Sequence, residues 1–145
     1  MLVVSKVDFY VIKSAGEQSR QHFACRLAEK AYRLDHTVHI VVANSQSARQ
    51  VDDLLWTFRD GSFVPHEVVG QVATGTPAPV TIGVESAPPR SCDLLINLGE
   101  EMPASADSFP RVAEIVTADE DARARSRQRF VDYRDRGHTL DTHML

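Results

Sequence analysis

A chain of 145 residues, 43% of them apolar, is long enough to bury a sizeable core and fits one domain spanning 1–145. Its formal charge of −4 supplies no general excess of cations to set against phosphate, which argues against strong DNA binding by the free chain. No apolar run approaches the ~20 residues that a bilayer requires, and residues 1–8 lack the basic start and apolar stretch of a signal peptide, so a cytoplasmic protein is expected.

β-Branched and aromatic residues predict a first strand over 7–12. After a loop at 13–16, Phe23, Ala24, Leu27, Ala28, Ala31 and Leu34 recur at helical spacing and predict a helix over 17–34 with one apolar face. Residues 38–43 are nearly all apolar, as in a strand covered on both sides. Asn44 or Ser45 can cap a second helix to about Phe58, with Ala48, Val51, Leu55 and Phe58 as its buried stripe. Further strands are expected over 80–84, 93–98 and 112–116. Thr117 and Glu120 have capping-box spacing, with Thr117 as N-cap of a last helix that runs to about Arg136. Gly137 follows as its C′ residue. Pro77, Pro79, Pro88 and Pro89 mark 70–92 as loops around one short strand, and no internal repeat is visible. Strands alternating with helices define an α/β protein with a mainly parallel sheet and helices on both faces.

Such a sheet invites a nucleotide-binding reading. A dinucleotide fold needs closely spaced glycines at its first strand–helix turn, where the backbone meets the pyrophosphate; only Gly16 stands there. Gly70 and Gly75 have the outer spacing of a phosphate-binding loop, but Thr76 occupies the place of its lysine. No nucleotide-binding fingerprint results, and no cofactor is expected. The six histidines, His22, His36, His39, His66, His138 and His143, form no zinc spacing with each other or with a cysteine. His36 and His39 read as a solvated pair at a strand entry, and His66 as a packed, hydrogen-bonded side chain in an apolar loop after Pro65. Adjacent carboxylates such as Asp52 and Asp53, or Glu100 and Glu101, point apart. Cys25 and Cys92 belong to no C-x-x-C pair and read as reduced. Nothing in the sequence assembles a reaction, and no catalytic or metal-binding residue is assigned.

Two constellations remain. At about 100° per residue, Trp56 falls outside the sector of Ala48, Val51, Leu55 and Phe58, so the only tryptophan sits at the edge of its helix. Phe63, Val64 and Pro65 follow a turn at Asp60 and Gly61. An aromatic pair at an edge can anchor a protein interface, or be covered by its own loop as core. On the last helix Arg123, Arg127, Phe130 and Arg134 stand at i, i+4, i+7 and i+11 in one stripe, with Tyr133, Ala122 and Ser126 on the adjoining, core-facing side. Six arginines face two aspartates between Arg123 and Arg136. Guanidinium groups around an aromatic ring suit an acidic peptide with an apolar end, because arginine binds carboxylates bidentately. A solvated helix face is the plainer alternative.

The sequence resembles the chi subunit of bacterial DNA polymerase III over nearly its whole length. The resemblance is carried by residues 7–10, 51–56, 62–66 and 93–98 and by Arg129, Phe130, Tyr133 and Arg134; the run Leu55, Trp56, then Phe63, Val64, Pro65 and His66 is its most specific part. It implies a Rossmann-like fold without nucleotide chemistry and a non-catalytic place in the clamp-loader assembly. The partners implied are a psi subunit, which connects the chain to the clamp loader, and the acidic C-terminal tail of single-stranded DNA-binding protein, so that nucleic acid is met only indirectly and no membrane is involved. Carried over position by position, Trp56, Phe63 and Pro65 correspond to the psi-facing residues, and Val116, Arg123, Arg127 and Phe130 to the tail pocket. Phe130 stands where relatives carry tyrosine, and Val131 where some carry lysine. The alternatives are an α/β enzyme acting on a nucleotide or small phosphorylated ligand, and an interaction module of another complex with a different acidic partner.

Overall fold

The computed structural model describes residues 5–61, 63–70, 76–85, 88 and 91–145. Among them, seven strands build one sheet: β1 (Lys6–Val11), β2 (Val38–Val42), β3 (His66–Val68), β4 (Val80–Val84), β5 (Leu94–Leu98), β6 (Arg111–Val116) and β7 (Thr139–Met144). Their order is β3-β4-β2-β5-β6-β1-β7 and every pairing is parallel. The helices are α1 (Glu17–Arg33), α2 (Ser45–Thr57) and α3 (Glu120–Asp135), with one 3-10 turn at Ala106–Ser108. Among the described residues no helix is long and apolar enough to cross a membrane.

The layering follows from the hand of the crossovers. Parallel strands are joined by right-handed connections almost without exception. Through α1 and then α2 the chain steps toward the β3 edge, so both helices lie on one face; through α3 it steps from β6 past β1 to β7, the opposite direction, so α3 lies on the other face. Side chains alternate accordingly. Ile40, Ile82, Ile96 and Ile115 pack with Ala24, Ala28, Val51 and Leu55 beneath α1 and α2. Val7, Phe9, Leu95 and Val112 pack with Phe109 and Tyr133 beneath α3. This is the Rossmann-like α/β architecture that the alternating elements and the resemblance led one to expect.

Several expectations need correction. β3 and β7 are strands that the pattern did not reveal: His66, read as a loop residue, opens a three-residue edge strand, and β7 carries Thr139, Asp141, Thr142 and His143 because it is the other edge. His39 is not solvated; it is fully buried on β2, with Nδ1 2.7 Å from Thr81 Oγ1. Leu34 is exposed rather than part of the α1 stripe, because the helix ends at Arg33 and the chain turns through a left-handed Asp35 (φ 62°). The capping box does not form. Asp119 is the N-cap residue of α3, and Thr117 Oγ1 donates to Asp119 Oδ2 over 2.7 Å instead of capping the helix. Asn44 does cap α2, accepting from the Ser47 N–H at 2.8 Å, and Gly137 takes the left-handed conformation (φ 87°) that turns the chain into β7. Gly75 lies outside the described residues.

Parallel sheets are normally covered on both faces; α1 lies mainly over β5, β6 and β2 and meets β1 where the Phe23 ring packs 5.5 Å from that of Tyr10. On the same face, ionic contacts join β1 to β6 and β7. Asp8, nearly buried, lies 2.9 Å from Arg111 Nη2 and 2.9 Å from His143 Nε2, while Lys6 is 3.5 Å from Asp141. Burial alone would raise the Asp8 carboxyl; the hydrogen bonds of His143 and Arg111, with the charges of Arg111 and Lys6, outweigh it and hold it below the ordinary aspartate value. A depressed folded-state pKa stabilises the fold above the unfolded value of about 4, and that contribution is lost as pH falls through the lower, folded value. Asp8→Asn should therefore lower stability at pH 7 and flatten its acid dependence below about pH 4, as read from urea midpoints across a pH series.

Candidate functional site

The geometry of α2 and the loop after it explains why two large aromatics reach solvent. Ala48, Val51 and Leu55 turn toward the sheet, so Trp56, the next residue round the helix, turns away. The chain reverses at Gly61 (φ 75°), and Val64 enters the core at 1% exposure. Its predecessor Phe63 is left outside at 63%, beside Trp56 at 55%. The two rings lie 5.7 Å apart between centroids, and Pro65 is half-buried next to them. The structure thus brings Trp56 and Phe63 together on the surface and does not fold the loop over the indole as core. His66 lies below, its ring 4.7 Å from that of Trp56.

On α3 the arginines have different assignments. Arg129 is buried, its Nε 2.9 Å from Glu114 Oε1 and its Nη1 donating to the Glu100 carbonyl at 2.9 Å. The N–H at Nε is not aligned with Oε1, so this contact is an ion pair rather than a straight hydrogen bond. Arg136 reaches Asp107 at 2.8 Å, and Arg134 lies 3.7 Å from its neighbour Asp135. Arg123 and Arg127 are exposed and make no ion pair among the described residues. Phe130 packs against Phe9 of β1, centroids 5.5 Å apart, in the cluster that holds Val116. Val116 itself is 3% exposed. Two exposed arginines thus share one stripe of α3 with a half-buried phenylalanine seated on β1.

The sequence reading missed what orients this stripe. Glu114 on β6 is fully buried and accepts from Tyr133 Oη at 2.7 Å and from Asn97 Nδ2 at 2.8 Å, besides facing Arg129. Burial first, and then the Glu114 charge, push the Tyr133 hydroxyl far above its ordinary value, so it remains a donor. The helical wheel puts Arg129 on the core side with Tyr133 and Ser126, a signal that was available; the strand alternation of β6 likewise turns Glu114 toward α3. Charge made both look like surface residues.

The crevice beyond the strands' carboxyl ends, where α/β proteins bind ligands, holds about 440 Å³ between the starts of α1, α2 and α3. Three arginines line it, Arg20, Arg125 and Arg129; Arg20 donates to the carbonyls of Ile115, Leu98, Asn97 and Gly99 at 3.1–3.3 Å. At the start of α1, where a pyrophosphate would sit, Asp119 Oδ2 accepts from Gly16 N–H at 2.9 Å. That bond and the Thr117 hydroxyl hold the Asp119 carboxyl below its ordinary value. Among the described residues no three His, Cys, Asp or Glu side chains gather as metal ligands would. Cys25 and Cys92 are buried, and burial pushes the Cys25 thiol up to about 12.

A family model described as DNA polymerase III chi subunit, HolC, matches residues 4–141. The DNA polymerase III subunit chi of Pseudomonas aeruginosa is 40% identical over 142 residues, covering 98% of each chain. The subunit chi of Haemophilus influenzae is 31% identical over 138 residues, 93% of this chain and 94% of that one. That of Escherichia coli is 29% identical over 128 residues, 88% of this chain and 86% of that one.

The two groups of residues should separate cleanly in stability measurements. Glu114→Ala strands Arg129 in the interior and should cost about 3–5 kcal/mol. Tyr133→Phe removes one donor from a buried carboxylate and should cost about 1–3 kcal/mol. Trp56→Ala, at a largely exposed position, should cost about 1 kcal/mol or less. Chemical denaturation of the three variants checks the ranking.

Proposed function

The chain belongs to the family of DNA polymerase III chi subunits, accessory subunits of DNA replication, and on that premise we propose that it is a two-sided connector that performs no reaction of its own. Trp56, Phe63 and Pro65 meet a psi subunit, and through it the clamp loader. Val116, Arg123, Arg127 and Phe130 hold the acidic C-terminal tail of single-stranded DNA-binding protein, which is how the chain meets DNA. It works as one domain, in the cytoplasm.

One observation carries this reading: the two groups of residues lie on opposite faces of the sheet. Trp56 belongs to α2 on one face of the sheet, beside the edge strand β3; the arginine stripe belongs to α3 on the other face, over β1 and β6. Between β3 and β1 the sheet spans about 24 Å, at ~4.8 Å per neighbouring strand. Both partners can be held at once.

The chemistry of the stripe fits an acidic tail with an aromatic end. Free guanidiniums at Arg123 and Arg127 can each take a carboxylate bidentately. Phe130, seated on Phe9 and Val116, offers an apolar wall without a hydroxyl, and Val131 adds no charge. The contacts are partly exposed, so affinity should be modest and should weaken with salt, within a screening length of ~8 Å at physiological ionic strength. At the start of α1 the contacts support the non-enzymatic reading, since Asp119 already takes the Gly16 N–H and Arg20 is directed to backbone carbonyls.

Calorimetric titration with the tail peptide tests this reading. Arg127→Ala should lose more affinity than Arg134→Ala, because Arg134 already neighbours Asp135 and lies at the rim. A peptide lacking its last residue should bind far worse, having lost the ring and the correctly placed carboxylate. Equal binding of full and shortened peptides would reduce the stripe to a diffuse cationic surface.

Trp56→Ala separates the two faces. It should weaken psi binding by ~2 kcal/mol or more if the indole is a hot spot, while tail-peptide affinity stays nearly unchanged. Parallel loss of both would show that the faces are not independent.

A further inference from the structure

The turn between Trp56 and Phe63 is tied to a helix that carries neither ring. Phe58 closes α2, and its ring meets that of His22 on α1 edge to face, 6.1 Å between centroids. Arg59 comes next. Its Nη1 lies 3.2 Å from Glu29 Oε1 on α1, while Arg33 Nη2 lies 3.6 Å from the other oxygen of the same carboxylate. The Glu29 side chain is only 8% exposed. A carboxylate so withdrawn from water needs a cation beside it, and Arg59 is the nearer of the two. Among the described residues of 58–63, Arg59 alone makes an ion pair.

The two helices explain why the pair forms there. Both belong to right-handed crossovers on one face of the sheet, so they run in the same direction. Earlier along their seam Gln21 Nε2 donates to Gln50 Oε1 at 2.8 Å. Glu29 stands eight residues after Gln21, and Arg59 nine after Gln50, so the ion pair continues that seam to its far end. Past Arg59 the chain reverses at Gly61 and presents Phe63, before Val64 enters the core. α2 fixes the backbone at Trp56 and Val64 fixes it after Phe63. The Arg59 contact holds the stretch between them, which links two rings 5.7 Å apart.

We infer that Glu29 is a positioning residue for the aromatic face: through Arg59 it holds the turn that sets Phe63 beside Trp56 in the arrangement a partner binds. The inference rests on the reading of that face as the psi surface. Were Arg59 instead a direct contact of the partner, removing the Glu29 charge would release its guanidinium and leave affinity unchanged or higher. A positioning role gives the opposite sign. A carboxylate with a merely structural role would lower stability without changing the affinity of the folded chain.

Trp56 is the only tryptophan, so its emission reports on the aromatic pair in the free chain. Glu29→Gln and Arg59→Gln should each shift that emission, and each should weaken binding to the psi subunit of the same organism by about threefold or more. The double variant should bind no worse than the weaker single variant, because both changes break one contact. Arg59→Lys, which keeps the cation, should retain most of the affinity. Tail-peptide affinity should be the same in all of them. Unchanged emission or unchanged psi affinity in folded Glu29→Gln, or additive losses in the double variant, overturns the inference. Should Glu29→Gln fail to fold, Arg59→Gln, at a side chain more than half exposed, decides the matter, and unchanged emission there overturns it. If Trp56→Ala binds psi as well as the wild type does, the reading of the face fails and this inference with it, even where the emission shifts are present.

Discussion

A carboxylate that no water reaches, Glu114, stands in the middle of β6 and governs how α3 can dock. A buried charge is tolerated only where it is paired and hydrogen-bonded, so the helix must bring Arg129 and the Tyr133 hydroxyl over it at once. An apolar helix face could slide or rotate on an apolar sheet at little cost. A helix held to one anion by an ion pair and a hydrogen bond cannot. The rotation fixed in this way turns Arg125, Gln128 and Asp132 toward Glu100, Glu101 and Met102 on one flank. It leaves Arg123, Arg127 and Phe130 on the other.

A similar use of charge within the chain marks the crevice beyond the strands' carboxyl ends. Arg20 satisfies carbonyls at the ends of β5 and β6, and Asp119 sits as an internal anion at the start of α1. The contact between Gly16 and Asp119 also joins the loops after β1 and β6, where crossovers of opposite direction part company. A rigid closure at that point suits a scaffold that presents surfaces rather than one that opens for a substrate.

The sheet keeps the two surfaces apart. Its parallel register runs unbroken from β3 to β7, with one exposed aromatic pair at the β3 edge and one arginine flank near the other edge. On the face of β1 opposite α3, ionic contacts around Asp8 tie β1 to β6 and β7. Edge strands made of polar residues such as Thr139, Asp141 and His143 also discourage pairing with other chains.

Local patterns in the sequence were enough for α1, α2, α3 and five of the strands, because apolar period and capping are properties of neighbouring residues. They also placed Trp56 outside its helix's buried sector and aligned Arg123, Arg127 and Phe130, since both follow from the helical repeat alone. β3 and β7 were illegible because an edge strand needs little apolar content; only pairing with β4 and β1 makes them strands. His39, Glu114 and Arg129 were misjudged or missed for the same reason: a polar side chain is buried when a partner far along the chain satisfies it, and Thr81, Tyr133 and Asn97 become partners only once the sheet and α3 are assembled. Whether Phe63 would cover Trp56 or stand beside it was likewise open, until Val64 took the core position and left Phe63 outside. Periodicity is written in the chain, whereas the pairing of distant polar groups exists only in the folded molecule.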